Sequence, residues 1–206
     1  MDRVAFDSPS DPDGDEPGVV DRRGLSDPLG TTDVAINRYR IPPGEGFPSG
    51  LHAHADQEEV FVVLKGRATF EHLPERTPTR ATDDSQSGRE LTVAAGEAVR
   101  FAPGEYQSGY NRGDEDLVAL ALGAPRETTD VRVPVRCPEC ADADLGLETG
   151  GDGLSFACPS CGAERAPAPC PECGSDAMAL ELNDERRVVA GCRDCAAAYE
   201  TPPYRE

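Results

Sequence analysis

Apolar residues between about positions 33 and 122 come in short runs separated by glycine, proline and charged residues. Residues 33–47 read as a strand that ends at a proline-rich turn. The segment from His52 to Phe70 is the most strand-like of the chain. Its centre, Val60-Phe61-Val62-Val63-Leu64, is β-branched and aromatic, and Gly66 follows as a turn residue. A second short strand runs from Arg67 to Glu71 and leads into the polar stretch 74–89, read as a long hairpin loop. Leu91 to Phe101, interrupted by Ala95-Gly96-Glu97, reads as strand, turn, strand, and Asp116 to Leu122 as a further strand. Short, closely spaced strands with turn signals predict an all-β sandwich or barrel. No stretch before residue 123 carries a helical period that competes with it.

The flanks differ from this centre. Residues 7–18 are acidic and rich in proline and glycine, which predicts a loosely attached arm. Residues 123–136 carry no clear period and read as a linker. All eight cysteines follow it, in four C-x-x-C pairs: Cys137/Cys140, Cys158/Cys161, Cys170/Cys173 and Cys192/Cys195. The expected organisation is an acidic flexible arm over 1–29, a β-domain over 30–122, a linker over 123–136 and two small metal modules over 137–166 and 167–206.

The cysteine region is a duplication. Cys137 to Cys170 and Cys140 to Cys173 each span 33 positions, and Cys158 to Cys192 and Cys161 to Cys195 each span 34. A two-residue spacer lets one tight turn aim two thiolates at one cation, and two such turns complete a tetrahedron. The duplication favours Cys137, Cys140, Cys158 and Cys161 around one zinc, and Cys170, Cys173, Cys192 and Cys195 around the other. Crossed pairing, first with third and second with fourth, is the alternative. Three of the four pairs have the form Cys-Pro-x-Cys, and Gly162 and Gly174 follow two of them. The region resembles the zinc-ribbon family. Ala141 and Ala196 stand where the other two knuckles would carry glycine, and the fourth pair, Cys192-Arg193-Asp194-Cys195, also lacks proline. Four thiolates close each site, so both zincs are expected to be structural. So little apolar sequence predicts that neither half folds without its metal.

Charge changes the choice of partners. The 206 residues carry a formal net charge of -19, with Lys65 the only lysine. Such a surface repels nucleic acid and anionic membranes. Residues 137–206 hold 14 acidic and 5 basic side chains, which turns the ribbons toward protein contact or a purely structural role. The acidic, lysine-poor composition also resembles that of proteins adapted to high salt. No apolar run approaches the roughly 18 residues of a membrane span, and the first residues lack the apolar stretch of a secretory signal. The expected location is the cytoplasm, where thiols stay reduced. This and the strict pairing favour metal over disulfides, and four repeated pairs exceed the needs of a dithiol switch.

The candidate chemistry of the β-domain begins with His52 and His54, which share a face when extended. Gly46, His52, His54, Glu59 and Gly66 follow the spacing G-x5-H-x-H-x4-E-x6-G. Gly96, Pro103-Gly104, Gln107 and Asn111 form a second set after a gap. Together these resemble the two motifs of the cupin family over about residues 30–122. Ala102 departs from the usual proline, and Gln107 stands where the family places a third histidine.

The resemblance implies a small antiparallel barrel of jelly-roll type with a mononuclear metal in its mouth. His52, His54 and Glu59 would be ligands, and Gln107 a fourth, weaker one. Two imidazoles and a carboxylate suit Fe(II), Mn(II), Ni(II) or Zn(II). Glu58 reads as a solvated neighbour, His72 as a surface or satisfied residue, and Asn111 as a turn-securing side chain. Tyr106, Tyr110 and Phe61 read equally as pocket wall or core.

Three functions follow: a metal-binding protein that takes a small molecule, with the ribbons as a docking module; a metal-dependent enzyme of dioxygenase or isomerase type; and a ligand-sensing regulator acting through protein contacts of the ribbons. The missing third histidine counts against the enzyme. The lack of a basic stripe counts against direct DNA reading. Homodimerisation through the sheets is a further expectation from the resemblance.

Overall fold

The computed structural model describes residues 1–6, 20–73, 88–150 and 153–205, the side chains of residues 149 and 150 excepted. The acidic stretch 7–18 and most of the expected loop, 74–87, lie outside the described residues. The strands in chain order are β1 Asp21–Gly24, β2 Ala35–Ile41, β3 Ala53–His54, β4 Glu58–Lys65, β5 Arg67–Leu73, β6 Arg89–Ala94, β7 Ala98–Phe101, β8 Tyr106–Tyr110, β9 Leu117–Ala124, β10 Val131–Val133, β11 Leu145–Gly150, β12 Gly153–Ala157, β13 Glu164–Arg165, β14 Met178–Leu182, β15 Val188–Cys192 and β16 Ala198–Tyr199. One short helix, α1 Ser26–Leu29, joins β1 to β2.

Two sheets build the barrel, with strand orders β1-β2-β9-β4-β7 and β6-β5-β8. Their inward residues form one core. Phe47, Phe61, Phe70 and Phe101 fill its centre, and Ile41, Val63, Val93 and Leu117 pack with them. Strand β9 shows the rule: buried and half-buried residues alternate along it, with Leu117, Ala119 and Ala121 turned inward. Phe47 makes edge contacts with Tyr39 and Phe61, with ring centroids at 5.1 and 5.0 Å. Offset and edge packing of this kind adds to burial. Gly66 turns β4 into β5 at φ +74°, and a Cβ there would lie 2.9 Å from the Asp116 carbonyl oxygen. Only glycine meets both demands.

The N-terminal boundary differs from the sequence expectation. Residues 21–24, placed in the flexible arm, form an edge strand paired with β2 from Asp21↔Arg40 to Gly24↔Asn37. The segment has no apolar period, so backbone pairing and a buried ion pair hold it. Arg38 Nη1 donates to Asp21 Oδ2 at 2.8 Å, and both residues are buried.

The expected linker also contains structure. Its Val131–Val133 forms β10 at the heart of a sheet ordered β13-β12-β11-β10-β3. That sheet joins the first cysteine module to the barrel. The second module is a three-stranded sheet, β14-β15-β16. It lies on the outer face of the β6-β5-β8 sheet. Leu182 packs there with Leu51, Ala53, Leu73 and Tyr106. Among the described residues no helix is long and apolar enough to cross a membrane.

Candidate metal centre

Strand β3 and the residues before it bring two imidazoles to one point. His52 exchanges backbone hydrogen bonds with Gln107 on β8, at 3.1 and 2.8 Å, so both side chains leave the same side of the pair. Glu59 enters from β4. The turn between β3 and β4 resets the register that sequence spacing alone would give it. Donor atoms of His52, His54 and Glu59 all lie within 4.8 Å of one another.

Hydrogen bonds assign the tautomers. His52 Nδ1–H donates to the Gly50 carbonyl at 2.9 Å. The Thr128 hydroxyl donates to Asp56 Oδ1 at 2.7 Å, so its oxygen accepts from His54 Nδ1–H at 3.2 Å. Both Nε2 atoms then carry lone pairs, and they stand 3.3 Å apart. Two facing acceptors repel; a shared cation or proton removes the repulsion. Burial disfavours the proton. It lowers the pKa of His52, and together with the nearby His52 it lowers that of His54 to about 4. Both rings are neutral near pH 7, the form that binds metal.

Gln107 adds a second sign of a cation. Its Nε2 donates to Glu59 Oε2 at 3.0 Å, while its Oε1 is buried with no hydrogen-bond partner. An unpaired buried amide oxygen costs about 1–3 kcal/mol. A metal would take that oxygen as a weak donor. Burial raises Glu59 to about 7, against the lowering effect of the Gln107 hydrogen bond. A cation beside it would restore its charge. His52, His54 and Glu59 therefore fit a divalent metal with two imidazole nitrogens and one carboxylate oxygen, with Gln107 beside them holding the carboxylate through its Nε2.

The neighbours separate cleanly. Glu58 points away and accepts from Arg100 Nε at 2.6 Å, at an exposed position. His72 Nε2 faces Glu105 at 3.6 Å. Asn111 is 1% exposed and donates to the carbonyls of Ile41 and Glu115 at 2.7 and 2.8 Å, which secures the turn after β8. Phe61 is barrel core. Tyr106 lies outside the barrel, and its hydroxyl donates to Asp144 at 2.7 Å. Sequence reasoning missed Thr128 and Asp56. Thr128 is 74 positions from His54, and no local signal links them.

The cysteines form two further clusters, Cys137, Cys140, Cys158 and Cys161, and Cys170, Cys173, Cys192 and Cys195. This is the sequential pairing. All eight are free thiols. Sulfur separations across knuckles are 3.7 and 3.5 Å in the first cluster and 3.6 Å twice in the second. A tetrahedron with metal–sulfur bonds of about 2.3 Å has edges of about 3.8 Å, so the spacing fits zinc.

All four knuckles repeat one backbone pattern. The amide after each pair donates to the first cysteine's carbonyl at 2.9 or 2.8 Å: Ala141 to Cys137, Gly162 to Cys158, Gly174 to Cys170 and Ala196 to Cys192. All four donors have positive φ, 60° and 58° at the two alanines. The knuckles thus force alanine where glycine is at ease. Burial raises the Cys137 thiol, but the N–H groups of Cys140 and Glu139 outweigh it and bring it down to about 7. The same balance at Cys170, with N–H groups of Cys173 and Glu172, gives about 6. Such thiolates are ready ligands.

Residues 37–123 match the cupin-domain family, described as Cupin_2: Cupin domain. The match spans most of β2 through β9, the strands of the barrel. Among characterised relatives, an oxalate-binding protein of Thermotoga maritima is 28% identical over 85 residues, covering 41% of this chain and 57% of the relative. The chain thus spans little more than half of that relative's length. Among solved structures, a recombinant oxalate oxidase in complex with glycolate is 20% identical with a TM-score of 0.45, over 57% of this chain and 56% of that one. A putative sugar phosphate isomerase from Acidithiobacillus ferrooxidans is 23% identical with a TM-score of 0.44, over 63% and 70%.

Proposed function

We propose that this chain binds a small anionic molecule through a single divalent first-row metal, Fe, Mn, Ni or Zn, held by His52, His54, Glu59 and Gln107. The supporting observation is the pair of Nε2 lone pairs facing each other at 3.3 Å with both Nδ1 atoms already engaged. A metal with four protein donors in this set keeps positions open for water or ligand. When bound, it supplies positive charge and open coordination for a chelating carboxylate. The chain's own residues do the rest: Gly50 and Thr128 orient the imidazoles, and Gln107 holds Glu59. A small dicarboxylate is the ligand class suggested by the oxalate-binding relative. Two structural zincs in the cysteine clusters complete the metal complement.

The test is calorimetric. Oxalate should bind the metal-loaded chain at about one per chain, and should not bind after chelation. In the His52→Ala/His54→Ala variant binding should be lost with the zinc clusters intact. Oxalate binding that survives in that variant would remove the site from this role.

The ribbons are read here as a structural module. What supports this is that β10 pairs with β3 and that Leu182 of β14 packs on the barrel.

A further inference from the structure

Strand β3 has two faces, and the cysteine modules hold both its edge and its back. His52 and His54 point to the metal cluster. Leu51 and Ala53, 0% and 1% exposed, point the other way and pack under Leu182 of the second module. Along its edge, β3 pairs with β10 through Val131↔His54 and Arg132↔Ala53. The Ala55 amide extends this ladder by donating to the Asp130 carbonyl at 2.7 Å. Just upstream, the Leu51 amide donates to the Leu180 carbonyl at 2.8 Å. A Cβ on Gly50 would approach that same oxygen to 2.9 Å, so the backbones are in close contact. Gly50 is also the residue whose carbonyl orients His52. Thr128, which orients His54, sits two residues before the strand-like ladder begins at Asp130. The group that aims His52 thus lies against the second module. Thr128, which aims His54, is tied to Asp56 of the turn before β4 and reaches the modules only through the ladder of β10 on β3.

We infer that the cysteine modules are the back wall of the barrel's metal site, so that zinc in the clusters sets the affinity of the barrel for its own metal. This rests on the metal reading of His52, His54 and Glu59. A module of this size with so small an apolar core depends on its metal to fold. Loss of zinc, by chelation or thiol oxidation, uncovers Leu51 and Ala53 and frees the backbone that carries both imidazoles. Linkage makes the effect reciprocal: an occupied barrel holds the second module closed.

The experiment titrates the full chain with Mn(II), which thiolates bind weakly, and reads free Mn(II) by electron paramagnetic resonance. Three variants are compared with wild type. Cys170→Ser/Cys173→Ser opens the second cluster. Leu182→Ala keeps all eight thiols and loosens only the contact beneath β3. Thr128→Val removes the group that orients His54. The Mn(II) Kd should rise tenfold or more in the first and third variants and several-fold in the second, the size seen for outer-shell partners of metal ligands, about 10–100-fold. Zinc content should stay at two per chain in Leu182→Ala and Thr128→Val. In the reverse direction, Mn(II) should slow zinc release to a chromogenic chelator in wild type and not in His52→Ala/His54→Ala. Equal Mn(II) affinity in wild type and Leu182→Ala would overturn the inference, whether or not the cysteine variant folds; Thr128→Val serves as the control for a direct change at His54. Absence of Mn(II) binding to wild type would instead overturn the metal reading on which it stands.

Discussion

At the scale of the residue, the proposed metal site turns on Gln107. Its backbone pairs with that of His52, so its side chain leaves on the side of the cluster and reaches Glu59 through Nε2. An imidazole is a better donor than an amide oxygen. Gln107→His should therefore raise metal retention on dialysis by about tenfold, or about 1.4 kcal/mol. Unchanged retention would show that this side chain does not reach the cation. The knuckle alanines make a second residue-scale case. Ala141 and Ala196 sit at φ 60° and 58°, where an L side chain costs about 1–2 kcal/mol. Replacing either by glycine recovers this less the added unfolded-state entropy, a net gain of roughly 0.5–1 kcal/mol in zinc-loaded stability. Thermal unfolding of the two single variants checks it, and a lower Tm in both would contradict the assignment. The shared face of His52 and His54 was legible in the sequence because alternation on a strand is local information, whereas Glu59, which does meet them, and Gln107 were singled out only by the resemblance to the cupin motifs. Thr128 and Asp56 were not, since a hydroxyl in an unpatterned segment carries no mark of the imidazole it will meet.

At the scale of the element, the barrel strands follow their apolar runs closely. Strands β4 and β9 match the runs at Val60 to Leu64 and at Asp116 to Leu122 within a few residues. Two elements escaped. Strand β1 is polar and exists through its partner and the Arg38–Asp21 ion pair. Strand β10 is only Val131-Arg132-Val133, a pattern too short to separate from a linker until β3 and β11 flank it. Glu71 shows what holds the elements across the junction. It is 4% exposed, accepts from the Leu182 amide at 3.1 Å and from Arg112 Nη2 at 2.7 Å. Hydrogen bonds to a charged group contribute about 1.5–3 kcal/mol each. Glu71→Ala should destabilise the chain by about 2–3 kcal/mol and loosen the second module. Denaturant unfolding gives the first number, and faster zinc release from the second cluster reads the second. Wild-type behaviour in both would mean that the junction lies elsewhere.

At the scale of the whole molecule, an independent barrel and tail become one assembly. The sequence pointed to separate domains because the zinc knuckles and the cupin motif are each self-contained. Their contact depends on Gly50, Leu51 and Ala53 of the barrel and on Leu180 and Leu182 of the second module, apolar or small residues whose facing placement has no local signature. Net charge is the other property at this scale. At -19 the surface repels itself, and salt screens that repulsion. Raising salt from about 0.1 M to 1 M shortens the Debye length from about 10 to 3 Å and should raise Tm, by about 2–4 °C for each 1 kcal/mol relieved. A Tm that falls with salt would contradict a charge-limited stability.

The central claim is a cation between two imidazoles and a carboxylate in the barrel, beside two thiolate-bound zincs. Elemental analysis of the purified full chain, in parallel with His52→Ala/His54→Ala, measures it most directly. The account predicts two zincs per chain in both proteins and one further first-row ion in wild type alone. Identical metal content in the two proteins would contradict it.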